Sequence, residues 1–253
     1  MDATGDAFSL FTSLSYSSSR VPSPYSLFPR HFSRLRTAHA RLAREVPGCW
    51  CARVGMPTED RMLAELDRAV KQASEGGDEG DLRLRLSILS TGTPLAEAFP
   101  LSPMPSYPVR LIFDDRSTDY DDPFLRSKTS RRAKYDEARE RQGATLHPSP
   151  DPSAPPFDVI LFNLAGEVTE TSISNIAFRF SSDPAAAYVT PASSCGLLEG
   201  VQRAELLEKG AVVEGVVKVE EVKKAAEAGA LEIICFNGVR GVFKAYIARE
   251  RPQ

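Results

Sequence analysis

Apolar residues recur along the chain with two periods, every second position or every third and fourth, and each change of period marks an element. Residues 8–16 (FSLFTSLSY) alternate loosely and are rich in strand formers, which predicts a first strand. The Ser/Pro-rich stretch 17–26 predicts a loop. From 31 to 44 the period lengthens, placing Leu35, Ala38 and Leu42 on one helical face. A second helix over 59–73 carries Met62, Leu63, Leu66 and Val70 as its apolar stripe. After a turn at 74–81 (SEGGDEGD), residues 82–89 set Leu82, Leu84, Leu86 and Ile88 against Arg83, Arg85, Ser87 and Leu89, the pattern of a half-buried strand. Residues 109–113 (VRLIF) predict another strand, and the charged run 114–122 a connection between two halves.

The second half opens with 124–130 and a basic helix reaching Arg141. The Pro-rich run 142–156 is expected to be a flexible loop, too polar to pack. Strands are expected at 157–163, 172–180, 188–190, 211–213, 231–236 and 241–248, with helices opening near Gly200 and spanning 219–228. No internal repeat interrupts this order. Strands in clusters with helices between them predict an α+β fold.

Composition narrows the function classes. With 253 residues, 42% hydrophobic and 26% charged, the chain can bury a real core in one large domain or two modest ones. A net charge of -3 gives no general attraction to nucleic acid or to an anionic membrane, so neither partner is expected. No segment reaches the apolar length of a bilayer span. Four cysteines (Cys49, Cys51, Cys195, Cys235) and three histidines (His31, His39, His147) supply no metal-binding spacing, and no metal is expected. The cysteines read as reduced and packed, which suits a cytoplasmic protein. The N-terminus, with Asp2 and Asp6, lacks a secretory pattern. The serines at 15–19 suggest a transit peptide only weakly, against the acids and the strand pattern.

Four segments carry candidate chemistry. In 124–135 (FLRSKTSRRAKY), a helix starting just after Lys128 would place Lys128, Arg132, Tyr135 and Arg139 on one stripe. A solvated basic face, with Asp136 paired to Arg132, is the plain alternative. A lysine that acts as a nucleophile near neutrality needs cations or burial around it, and Arg126, Arg131 and Arg132 are at hand. In 162–180 (FNLAGEVTETSISNIAFRF), Glu170 enters a strand that soon becomes apolar, which is costly unless the acid is paired. A strand-edge glutamate in water fits as well. In 190–203 (TPASSCGLLEGVQR), Gly196 and Gly200 precede a helical run whose first N–H groups and dipole favour an anion, although many helices begin after glycine. In 235–241 (CFNGVRG), Gly238 and Gly241 permit close backbone approach to a ligand, as they would in an ordinary hairpin.

Together these segments resemble the class IV aminotransferase family, which includes branched-chain and D-amino-acid aminotransferases and aminodeoxychorismate lyase. The resemblance runs over residues 8–246. It is most specific in the Gly-x-Val-Thr-Glu-x-x-x-x-Asn run at 166–175 and the Thr-Pro…Gly-Leu-Leu-x-Gly-Val run at 190–201, supported by Lys128-Thr129 and His31-x-x-Arg34-Leu35. The phrases FLRSKTS…YDEAR and CFNGVRG look closest to a lyase-like branch found in fungi.

The resemblance implies a two-domain, D-amino-acid aminotransferase-like α+β fold. A smaller domain over 1–114 and a larger one over 115–253 would have pyridoxal 5'-phosphate in the cleft between them. It implies that Lys128 holds the cofactor as a Schiff base and moves protons, and that Glu170 faces the pyridine nitrogen. Arg34 would clamp the phosphate, with backbone N–H groups at Gly200, Val201 and Gln202 and at Asn237, Gly238 or Val239 completing the cup. Thr12 would lie close to the substrate, a small-molecule amine. A homodimer is implied as well. The resemblance also implies departures: first strands shortened or absent, Glu199 where the family often has proline, and Ala133 where several relatives have tyrosine, which raises the question of Tyr135. The leading function is aminodeoxychorismate lyase. A transaminase acting on a D-amino or branched-chain amino acid is the first rival, and a catalytically silent ligand-binding protein the second.

Overall fold

The computed structural model describes residues 8–78, 80–181, 183 and 185–247. They fall into two compact units, Met1–Pro103 with Asp122–Arg131, and Met104–Asp121 with Arg132–Gln253. A single cut near residue 114 is therefore replaced by an exchange of segments. Residues 128–130 belong to the first unit because they pair with its first strand, Phe11 N–H donating to Lys128 O at 3.0 Å and Ser130 N–H to Ser9 O at 2.9 Å.

In the first unit, β1 (Leu10–Tyr16), β2 (Leu82–Ile88) and β3 (Pro94–Pro100) form an antiparallel sheet in that order. One face buries Leu10, Leu14, Leu82, Leu84, Leu86 and Ile88 in a core shared with two helices. Helix α1 (Phe28–Glu45) contributes Leu35, Ala38 and Leu42, and α2 (Glu59–Glu75) contributes Met62, Leu66 and Ala69. Pro29 in the first turn explains why α1 begins before the periodic residues do. The sequence pattern misses β3 (PLAEAFP), whose prolines and alanines are poor strand formers. It survives as an edge strand paired to β2 alone.

In the second unit, eight strands form one mixed sheet in the order β6-β5-β4-β11-β10-β7-β8-β9. They are β4 (Val109–Phe113), β5 (Asp158–Phe162), β6 (Val168–Thr171), β7 (Asn175–Arg179), β8 (Tyr188–Pro191), β9 (Val212–Gly215), β10 (Glu232–Asn237) and β11 (Gly241–Ile247). Helices α3 (Ala133–Arg141), α4 (Val201–Glu208) and α5 (Val219–Glu227) accompany them. Ile160, Val168, Ile176, Phe178, Val222 and Cys235 lie at the centre of the core.

Three expectations change. The strand expected over 172–180 starts only at Asn175, because Thr171 and Ser174 close a tight turn. Thr171 Oγ1 accepts from Ser174 N–H at 3.0 Å, and Thr171 N–H donates to Ser174 O at 2.8 Å. Glu170 therefore sits at the end of its own strand, β6. The run 142–156 forms no helix or strand, yet it is fastened: Arg110 donates to the carbonyls of Pro152 (3.0 Å) and Ala154 (2.6 Å), and Tyr107 to that of Pro148 (3.2 Å). Finally, α3 starts at Ala133, so Lys128 lies in an extended segment and off the helical stripe. The β1 pairing claims that backbone first.

Among the described residues no helix is long and apolar enough to cross a membrane. All four cysteines are free and buried.

Candidate active site

In the first unit, β1 and α1 bring Thr12, His31 and Arg34 together. Arg34 Nη2 donates to Thr12 Oγ1 at 2.6 Å, and the same oxygen lies 2.5 Å from His31 Nδ1. A guanidinium only donates, so the Thr12 hydroxyl hydrogen goes to Nδ1 and the imidazole proton belongs on Nε2. Burial drives the His31 pKa well below its ordinary value, and the Arg34 and Lys128 charges add to the effect, so the ring is neutral. Burial also lowers the Arg34 pKa to about 10, which leaves its charge intact near neutrality. Both His31 Nε2 and Arg34 Nε are buried without a partner.

Thr12 was expected beside the substrate. Its side chain is fully buried, and its oxygen is taken by His31 and Arg34, so its hydroxyl serves the guanidinium. Lys128 Nζ lies 5.0 Å from the centre of the Phe11 ring, and the Arg85 guanidinium carbon lies 4.2 Å from the same centre. Arg131 is turned onto the rings of Phe124 and Phe8. The first unit thus collects positive charge and spare donors. Among its described residues no carboxylate is buried.

The second unit does the reverse. Glu170 is 3% exposed, and its Oε1 accepts from Tyr135 Oη–H at 2.8 Å and from Leu198 N–H at 3.1 Å. Burial and the Glu170 charge together push the Tyr135 pKa well above its ordinary value, so the phenol stays protonated and donates. Tyr120 is raised for the same two reasons, but its hydroxyl bonds Thr169 Oγ1 at 2.8 Å.

Arg132 and Asp136 do lie within ion-pair distance at 3.9 Å, as the plain alternative had it, but the stripe of α3 also packs around Tyr135 and is not simply a solvated face. Arg132 donates to Ser172 O at 2.9 Å, and Arg139 to Ser172 Oγ at 2.8 Å and Asp158 Oδ1 at 3.2 Å. Glu167 has another environment. It pairs with Lys218 at 3.0 Å and accepts from Asn163 at 2.9 Å, contacts that hold its pKa below the usual range.

The start of α4 is joined to this carboxylate. Asn175 Nδ2 donates to Leu198 O at 2.9 Å, and a Cβ on Gly200 would lie 2.0 Å from Asn175 Oδ1, so only glycine fits. Helix α4 has no side-chain cap and no acid in its first turn, which leaves the N–H groups of Val201 and Gln202 suited to an anion. Glu199 accepts from Ser193 Oγ at 3.0 Å. Asn237 is occupied with its own turn: its amide nitrogen donates to Ser174 Oγ at 3.0 Å, and its Oδ1 accepts from the N–H groups of Val239 (3.0 Å) and Arg240 (2.9 Å). In the second unit the structure thus links Glu170, Gly200 and, through the 172–174 turn, Asn237. Tyr135, Asn175 and His31 lacked an assigned role in the sequence reading. The five-residue spacing from Glu170 to Asn175 was the signal available for one of them.

The donor set suits pyridoxal phosphate. In the second unit the uncapped start of α4 suits a phosphate, and in the first unit the orphaned buried donors suit an anion. A buried carboxylate with its own donors fits a protonated ring nitrogen.

The family model described as amino-transferase class IV matches residues 9–244. The chain belongs to this family. A Schizosaccharomyces pombe protein named "Putative aminodeoxychorismate lyase" is 27% identical over 225 residues, covering 87% of this chain and 84% of that one. A "Putative amino-acid aminotransferase" from Mesorhizobium loti is similar in structure with a TM-score of 0.75 and 25% identity, over 95% of this chain and 100% of the other. The 4-amino-4-deoxychorismate lyase of Pseudomonas aeruginosa shares the fold at a TM-score of 0.62 and 19% identity, over 98% and 85% of the two chains.

Proposed function

We propose that this member of the class IV aminotransferases is a pyridoxal-phosphate enzyme that converts 4-amino-4-deoxychorismate to 4-aminobenzoate and pyruvate. In this reading it works as a cytoplasmic homodimer in folate biosynthesis. The observation that carries the cofactor assignment is the buried Glu170 carboxylate, held by two donors at the end of β6. The similarity to the Schizosaccharomyces pombe protein over 87% of the chain inclines the reaction toward the lyase.

When bound, pyridoxal phosphate supplies an electron sink for bonds at the amine-bearing carbon. The chain's own groups do the rest. Lys128 Nζ would attach the cofactor, be released when the substrate amine takes its place there, and then accept the proton from the amine-bearing carbon of the substrate. Glu170 keeps a proton on the pyridine nitrogen. Arg34, held by Thr12, anchors the phosphate with the N–H groups of Gly200, Val201 and Gln202 and those of the 237–239 turn.

The rival is a transaminase, favoured by the likeness to the Mesorhizobium loti protein at a TM-score of 0.75. The two reactions differ in what they require. A transaminase stops after one half-reaction until a keto acid arrives, whereas a lyase needs no second substrate. Aminodeoxychorismate alone should yield pyruvate and 4-aminobenzoate over many turnovers, with the yellow form persisting. Stoichiometric bleaching by simple amino acids, reversed by 2-oxoglutarate or pyruvate, would sink the lyase and promote the transaminase.

A further inference from the structure

We propose that Tyr135 is a positioning residue for Glu170: its hydroxyl fixes one carboxylate oxygen and favours the ionised acid opposite the cofactor's pyridine nitrogen. The inference rests on the reading above that Glu170 faces that nitrogen. It concerns a residue two positions beyond the place where several relatives carry tyrosine, a place held here by Ala133.

The geometry carries it. A carboxylate buried to this degree is costly unless donors reach it, and charged hydrogen bonds favour its ionised form. Two donors converge on Glu170 Oε1, at 2.8 Å from Tyr135 and 3.1 Å from the Leu198 backbone. The backbone donor is fixed by the fold, while the phenol is supplied by a side chain whose own seat is built. Arg132 lies 4.8 Å from the centre of the Tyr135 ring and donates to Ser172 O, two residues beyond Glu170. One turn further on, Arg139 grips Ser172 Oγ, Asp158 and the Phe157 carbonyl. Arg132, Tyr135 and Arg139 thus share one helical stripe, and all three contacts fall on or beside the end of β6. Tyr120 provides the contrast. It is an equally buried tyrosine, but its hydroxyl goes to Thr169.

The test is a mutant cycle on the full chain: parent, Tyr135→Phe, Glu170→Gln and the double variant, with Tyr120→Phe as the second tyrosine. Urea unfolding of each cofactor-free protein reports whether the fold persists. Turnover, KM and the visible band of the bound cofactor are then recorded. Tyr135→Phe should lower kcat about tenfold or more, the range for one hydrogen bond to a charged group, with KM nearly unchanged. It should displace the visible band in the same direction as Glu170→Gln does. In the Glu170→Gln background it should add less than about a twofold change, because its partner's charge is already gone. Tyr120→Phe should act by the same factor in both backgrounds. If Tyr135→Phe leaves kcat and the band unchanged, or costs the same factor with and without Glu170, the inference fails while the cofactor reading stands. If Glu170→Gln itself changes neither kcat nor the band, the cofactor reading fails and takes the inference with it.

Discussion

The Arg34 cluster of the first unit and the Glu170 cluster of the second solve opposite electrostatic problems. Around Glu170 the buried charge is an anion, and the protein supplies its donors from Tyr135 and Leu198. Around Arg34 the charge is a cation whose only side-chain acceptor among the described residues is a threonine oxygen. His31 is kept neutral beside it, and two buried N–H groups have no partner. One cluster supplies donors to its buried charge, and the other holds buried donors that lack an acceptor among the described residues. Unsatisfied buried donors cost about 1–3 kcal/mol each, so a fold that keeps two of them together is arranged for an anion that comes from outside. The first cluster should therefore govern how tightly the cofactor is held, and the second how fast the chemistry runs.

The most severe break is Lys128→Ala. Cofactor attachment and activity should both disappear, since the other lysine of that region, Lys134, lies on α3. Borohydride reduction of the yellow parent followed by peptide mapping checks this, and a label on any peptide without Lys128 overturns the assignment. Next comes Glu170→Gln, which should retain the cofactor and slow turnover on the order of a hundredfold, as for loss of one preorganised charge aimed at a reacting system. Glu167→Gln is its control, because that acid already spends its charge on Lys218 and Asn163. Equal losses at the two positions would mean that the acid is misplaced. Arg34→Ala should do the converse: cofactor affinity, measured by equilibrium dialysis, falls about tenfold or more while turnover at saturating cofactor changes little. Should Arg34→Ala reduce turnover and spare affinity, the division of labour between the two clusters is wrong.

Some of this was legible in the sequence and some was not, for physical reasons. Lys128, Glu170 and the Gly200 helix start stand in short local runs, each with a plain reading of its own, and the resemblance to the family is what joined them. The α2 stripe and the alternation of β2 need no knowledge of neighbours. By contrast, β3 exists only because β2 offers it a ladder. The helix expected after Lys128 yields to pairing with β1, a partner more than a hundred residues away. Tyr135 on Glu170 and Arg139 on Asp158 span 35 and 19 residues, so no periodicity reports them. The basic stripe of α3 had a plausible solvent-facing explanation, and only tertiary contacts show where its guanidiniums go. Thr12 shows the same limit: the resemblance implied a place near the substrate, while its hydrogen bonds serve Arg34 and His31.

The smallest effect sharpens the comparison from the side of pH. His31 has a folded pKa well below its unfolded value near 6.5, with burial the leading cause and the Arg34 and Lys128 charges behind it. Below about pH 6.5 the unfolded chain therefore binds a proton that the folded chain refuses. Stability is present in full above the unfolded pKa and falls with pH, by at most about 1.4 kcal/mol per pH unit from this group. His31→Asn keeps an amide near the Nδ1 position but cannot titrate. Urea unfolding of the cofactor-free parent between pH 7 and 5 should show a stability slope steeper than that of the variant by up to one proton, while acids common to both proteins cancel in the difference. Because the folded chain refuses that proton, the order from Arg34 through Thr12 to His31 persists over this range, and the cofactor affinity of the parent should not fall with pH more than that of His31→Asn. Identical slopes in the two proteins would mean that His31 is not held neutral, and the hydrogen-bond order from Arg34 through Thr12 to His31 would have to be reversed.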